Sequence, residues 1–205
     1  MNFDILLGFI SAVSLLAISP GPDNIFVLMQ SVVHGRKYGL ATVAGLMSGC
    51  IIHTTLVAFG VSAIIKENES IFLAIKVLGA AYLFYLAYKV LRSSGAIAMD
   101  GSSVQKKTTA QLFKTGFLMN VLNPKVTIFF LALFPGFLFS DTLSEVVQFY
   151  VLGGLFIAMS AIIFSAIALL GGSISAQIQQ NKKIGIWLKW LQIVVFVGIA
   201  VFVLL

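Results

Sequence analysis

Six runs of apolar residues, each about 20 residues or longer, occupy most of this chain, at positions 5–33, 39–65, 70–92, 112–139, 144–172 and 184–205. A helix of about 20 apolar residues crosses the roughly 30 Å hydrocarbon layer of a bilayer. Of the 205 residues, 60% are hydrophobic and 10% charged. Soluble domains run at about 45–50% and about 25%. So little polar surface cannot cover a water-soluble core. The expected fold is all-α and integral to a membrane, with six transmembrane helices forming a single domain over residues 1–205. No basic residue precedes the first run at Ile5, which therefore reads as a retained helix and not a signal peptide.

Charge placement gives an orientation. Of the thirteen Lys and Arg residues, Arg36, Lys37, Lys89, Arg92, Lys106, Lys107, Lys114, Lys182, Lys183 and Lys189 all fall on one side of six alternating spans. The opposite side has Lys66 with Asp4, Glu67, Glu69, Asp141 and Glu145. The positive-inside rule puts the basic side in the cytoplasm and both termini outside. Trp187 and Trp190 flank Lys189 where an aromatic belt would sit. The net charge of +6 thus lies in loops and marks topology, so no nucleic-acid partner is expected. Cys50 is the single cysteine, which excludes an intramolecular disulfide and a paired-thiol relay.

A Ser-, Thr- and Lys-rich stretch at 93–111 reads as a cytoplasmic linker between two pseudo-repeats, 1–92 and 112–205. Each holds three segments, and three is odd, so the second repeat enters the membrane from the opposite side and the two are inverted. The punctuation agrees. All four prolines lie in the first or fourth segment: Pro20, Pro22, Pro124 and Pro135. Helices 1 and 4 are expected to break there, at "SPGPD" (residues 19–23) and "NPK" (residues 123–125). Ser19 and Asn123 read as N-caps followed by proline at the first helical position. A helix that restarts inside the bilayer offers its positive end to an anion. The carbonyls freed by Pro20, Pro22 and Pro124 accept from an ammonium or hydroxyl, and Gly21 leaves the backbone approachable.

Asp23 and Lys125 follow the two breaks with opposite sign. A charge at the bilayer centre costs roughly 2.5–3.5 kcal/mol on insertion scales, so both are expected to earn their place. They are expected to face each other across the repeat interface, either pairing or binding the two ends of a zwitterion. The plainer alternative is a structural ion pair or helix cap. His53, on the Gly45/Gly49 face of the second segment, is a proton carrier or an interhelical hydrogen bonder. Tyr82, the deepest of a series with Tyr85 and Tyr88, contacts substrate or simply packs. Lys76 snorkels to the outer interface.

"SPGPDN" (residues 19–24), "NPK" and "KVLGAAYLFYL" (residues 76–86) resemble motifs of the lysine exporter (LysE/RhtB) family of bacterial amino-acid efflux proteins, and the resemblance covers nearly the whole chain. It implies six helices in two inverted halves in a bacterial inner membrane. It also implies export of small amino acids or close analogues coupled to the proton-motive force, with substrate and protons as partners and no cofactor. Two other classes compete. A metal-cation exporter of the same broad superfamily needs several carboxylates, thiols or histidines converging, whereas the segments here hold Asp23, His53, Cys50 and a repelling lysine. An intramembrane serine hydrolase needs a partnered base, and His53 stands alone in that role. A GxxxxGK[ST] phosphate loop is missing, which excludes an ATP-driven pump for this chain alone. The transported side chain, the coupling stoichiometry and the oligomeric state, a homodimer included, are left open.

Overall fold

A computed structural model of the chain describes residues 2–63, 69–93, 104 and 106–205. Helix α1 (Phe3–Ile18) starts where the Asn2 side chain accepts from the N–H groups of Asp4 and Ile5. It ends at Ser19, whose N–H closes the last turn on the Leu15 carbonyl at 3.0 Å. Helix α2 (Pro22–His34) restarts after Gly21 with proline at its first position. Gly35, at φ +103°, ends α2; that conformation suits glycine because it lacks a Cβ. Helix α3 (Arg36–Leu56) runs on into a π-helical turn, Val57–Val61.

Helix α4 (Glu69–Arg92) follows. Helix α5 (Thr109–Val121) opens on a reciprocal cap, with the Gln111 N–H on the Thr108 hydroxyl and the Thr108 N–H on the Gln111 side chain. Helix α6 (Pro124–Leu133) tightens into a 3-10 turn at Phe134–Phe137, around Pro135. Then come α7 (Glu145–Leu169), α8 (Gly171–Gln180) and α9 (Lys182–Leu204).

Four stretches are long and apolar enough to cross a membrane alone: Arg36–Val61, Ser70–Arg92, Glu145–Leu169 and Lys183–Leu204. The α1–α2 pair, bent by 59°, and the pair from α5 to Phe137, bent by 49°, raise the number to six if each counts as one span. The lateral surface fits hydrocarbon. Leu78, Ile162 and Val194 are 69%, 62% and 65% exposed, a cost in water that lipid removes.

Three particulars differ from expectation. Ser19 ends α1 instead of capping α2, because Gly21 and Pro22 take the cap and first-turn positions. Residues 171–180, read partly as loop, form α8, with Ile174 and Ile178 one turn apart on one face. Helix α5 begins at Thr109, inside the expected linker; that linker otherwise lies outside the described residues at 94–103 and 105, as do Lys66 and Glu67.

Contacts at the two ends sort the loops. His34 Nε2 bonds the Val104 carbonyl at 3.1 Å, and Lys189 Nζ donates to the Ser93 carbonyl at 2.7 Å, which gathers basic loops at one end. At the other, the Asn2 N–H meets the Phe139 carbonyl at 2.8 Å. There Gln148 accepts from the Phe139 and Ser140 N–H groups and donates to the Ser140 and Leu143 carbonyls.

Candidate functional site

The two bends bring α2 and α6 together by their N-terminal ends. Asp23, in the first turn of α2, accepts a hydrogen bond at Oδ2 from Asn123 Nδ2, 2.9 Å away. Asn123 also caps α6, its Oδ1 taking the Lys125 N–H at 3.0 Å. One side chain thus holds a helix start and a carboxylate from the other break. The α2 start has no such cap: Gly21 offers no side chain, and the first N–H groups of a helix have no partner within it. The Lys125 ammonium lies over this open end. A Cβ built on Gly21 would sit 3.8 Å from Nζ.

Lys125 has a second neighbour that sequence reading missed. Its Nζ is 4.9 Å from the centroid of Phe196 in α9. A ring face attracts an ammonium by about 0.5–2 kcal/mol without neutralising it. Among the described residues Nζ donates no hydrogen bond, and no ion pair joins it to Asp23. The two charges share one cavity of about 50 Å³, enough for a few waters. Gly21, Pro22, Asp23, Asn24, Asn123 and Lys125 line it, together with Cys50, Asn120 and Ser160. Leu16, Leu46, Met47, Phe156 and Phe164 supply an apolar wall.

The helix breaks leave carbonyls that find partners inside the protein. Ala17, in the last turn of α1, accepts from Asn24 Nδ2 at 2.7 Å. Asn120 stands four residues before Pro124, which has no N–H to give it. Its carbonyl takes the Asn123 N–H at 3.0 Å and His53 Nε2–H at 3.1 Å. His53 is 3% exposed, tilted against Phe130 with centroids 5.5 Å apart. It lies behind Asn120 and not on the cavity wall. Asn120 reaches back to α3 as well, donating from Nδ2 to Cys50 Sγ at 3.4 Å.

Of the residues singled out from sequence, Asp23, Lys125, Asn123, Gly21 and Pro22 meet at the cavity. Pro20, Pro124 and Ser19 belong to the same breaks but not to its wall; the Ser19 hydroxyl is buried and has no partner among the described residues. Tyr82 is elsewhere, half-buried on α4 with its ring 6.1 Å from that of Tyr85. Asn120, Ser160 and Phe196 were not anticipated. A usable signal existed for Asn120 alone: its position four residues before a proline.

The sequence profile of the LysE type translocators matches residues 14–205. The chain belongs to the LysE type translocator family. Among similar proteins, a homoserine/homoserine lactone efflux protein of Salmonella typhimurium is 31% identical over 183 residues, covering 89% of this chain and 88% of that protein. A leucine efflux protein of Klebsiella pneumoniae is 28% identical over 181 residues, covering 88% and 85%. The Bacillus subtilis membrane protein YrhP is 32% identical over 141 residues, covering 65% and 67%. No solved structure matches the chain. As a family member with several apolar spans, the chain is a multi-pass membrane protein.

Proposed function

We propose that this LysE-type protein is a secondary active transporter that exports small neutral amino acids or close analogues across the bacterial inner membrane, in exchange for protons. The observation that carries this is Lys125: a half-buried ammonium without a hydrogen-bond acceptor, set against the open N-terminus of α2 and sharing a cavity with Asp23. Such a cation calls for an anion. The substrate carboxylate is held by Lys125 and the first N–H groups of α2, and the substrate ammonium by Asp23. Asp23 and Lys125 are the only charged groups on the described wall, and both are used by the zwitterion. A charged side chain would meet Leu16, Met47 and Phe164 without a counter-ion, which disfavours lysine or glutamate.

Asp23, at the cavity, carries the proton, while His53 holds the Asn120 carbonyl. The proline breaks in helices 1 and 4 are the paired interruptions of two inverted repeats, residues 1–92 and 112–205, which is the design secondary transporters use around a midplane site. The basic end faces the cytoplasm and both termini face outward. The relatives named as homoserine/homoserine lactone and leucine efflux proteins support an exporter of amino acids over an enzyme. A metal exporter is not favoured: among the described residues no three of His, Cys, Asp and Glu converge.

Reconstitution in liposomes with labelled leucine, homoserine, lysine and glutamate, under an imposed pH gradient, tests this directly. Leucine or homoserine flux that collapses with the gradient is expected. Flux of lysine or glutamate in preference, or flux indifferent to the gradient, would overturn the neutral class or the coupling respectively.

A further inference from the structure

A lysine carries its charge at the end of a flexible stem, and holding that stem in one arrangement costs rotamer entropy. At Lys125 nothing polar does the holding. Its backbone N–H is capped by Asn123, but among the described residues its Nζ makes no hydrogen bond and no ion pair. What the ammonium does meet is the face of Phe196 in α9, with Nζ 4.9 Å from the ring centroid. That ring is itself well fixed. It is 1% exposed and belongs to the same buried apolar cluster as Val126 and Phe129 of α6 and Val195 and Ile199 of α9. Lys125 lines the cavity and Phe196 does not. The same Nζ lies 3.8 Å from where a Cβ on Gly21 would stand, at the uncapped start of α2.

We propose that Phe196 is a positioning residue for substrate binding, whose ring holds the Lys125 ammonium at the start of α2 for the substrate carboxylate. This rests on the zwitterion site proposed above and deepens it by naming what keeps one of its charges in place and unspent. The choice of neighbour matters. A carboxylate against Nζ would neutralise it and compete with an incoming anion. An aliphatic side chain would leave a buried charge with no compensation at all. A ring face does neither: its quadrupole attracts the ammonium and leaves the net charge available. Phe196 therefore acts on the substrate through Lys125, without touching it.

The test uses the full chain in proteoliposomes, with Phe196 replaced by progressively fluorinated phenylalanines. Fluorine drains the negative face of the ring while nearly keeping its shape and apolarity. The half-saturating concentration of labelled leucine is expected to rise step by step with fluorination, by about twofold to thirtyfold in all, the span of a cation–π contact. Maximal flux and the unfolding temperature in detergent are expected to stay near the wild-type values. Phe196→Leu, which has no ring face, belongs at the weak-binding end of the series. A half-saturating concentration that stays flat across the fluorinated series, or that changes only together with the unfolding temperature as a purely structural ring would make it, overturns the proposal. Absence of any amino-acid flux in wild type would overturn the transport reading, and this proposal with it.

Discussion

Asp23 and Lys125 show what a residue can do in a layer that solvates neither charge. Each has found a partial answer inside the protein, Asp23 in the amide of Asn123 and Lys125 in the ring of Phe196. Neither answer neutralises the charge. Asn123 serves two masters, and its variants separate them. Asn123→Ala removes the α6 cap and Asp23's donor together, and is expected to lower stability by about 1 kcal/mol from the cap, read as a fall in unfolding temperature in detergent. Asn123→Ser keeps a capping oxygen but lacks the amide that donates to Asp23, so it should retain most of that stability while losing flux. Equal stability of both variants would remove the cap from the account. Asp23, Asn123 and Lys125 were legible in sequence because a charge, or a proline-linked amide, interrupts an apolar run. Ser160 and Phe196 were not. A serine or phenylalanine in such a run has no pattern of its own, and its part is set by which helix packs opposite.

The elements around the cavity differ in kind toward the two ends. Going from Lys125 along α6, Phe129, Phe130 and Phe134 gather with Phe9 of α1 and Phe156 of α7. Phe130 and Phe134 stack at 4.2 Å, and Phe9 meets Phe134 edge-on at 5.1 Å. Going from Asp23 along α2, two turns bring Gln30 and Ser31, both buried, each with an oxygen that has no partner among the described residues. An aromatic cluster thus lies on one side of the cavity, where it is expected to bar passage, and two buried polar side chains lie on the other. Phe134→Ala should cost about 3–5 kcal/mol, as large aromatic truncations do, and should open the cluster. The measurement is labelling of Cys50, buried on the cavity wall, by a small thiol reagent added outside: slow in wild type, fast in the variant. Equal rates would contradict the barrier. Strong packing also joins the halves. A Cβ on Gly45 of α3 would strike the Phe113 carbonyl of α5, and one on Gly116 of α5 the Thr42 carbonyl of α3. The apolar runs were legible at this scale because length and hydropathy suffice to mark them. The cross-half pairing was not, since glycines at helical spacing show that a helix is approached closely but not by which partner. Helix α8 escaped because only Ile174, Ala176 and Ile178 break its run of glycines and polar residues.

At the scale of the whole molecule, the ten basic residues assigned from sequence to one side of the membrane predict a topology that labelling tests. Lys106 and Asp141, both exposed, belong to opposite ends. In a Cys50→Ser background, Lys106→Cys should label only from the cytoplasm and Asp141→Cys only from outside, and the reverse pattern would invert the topology. Between those ends the cavity is small, and the two charges that need a counterpart are both at it. That makes one comparison decisive for the claim that Asp23 and Lys125 bind the two ends of a zwitterion. Leucine counterflow is measured in proteoliposomes of wild type, Asp23→Asn and Lys125→Met, matched for inserted, folded protein. Flux is expected in wild type and a fall to the protein-free background in each variant. Wild-type flux in both variants would contradict the account.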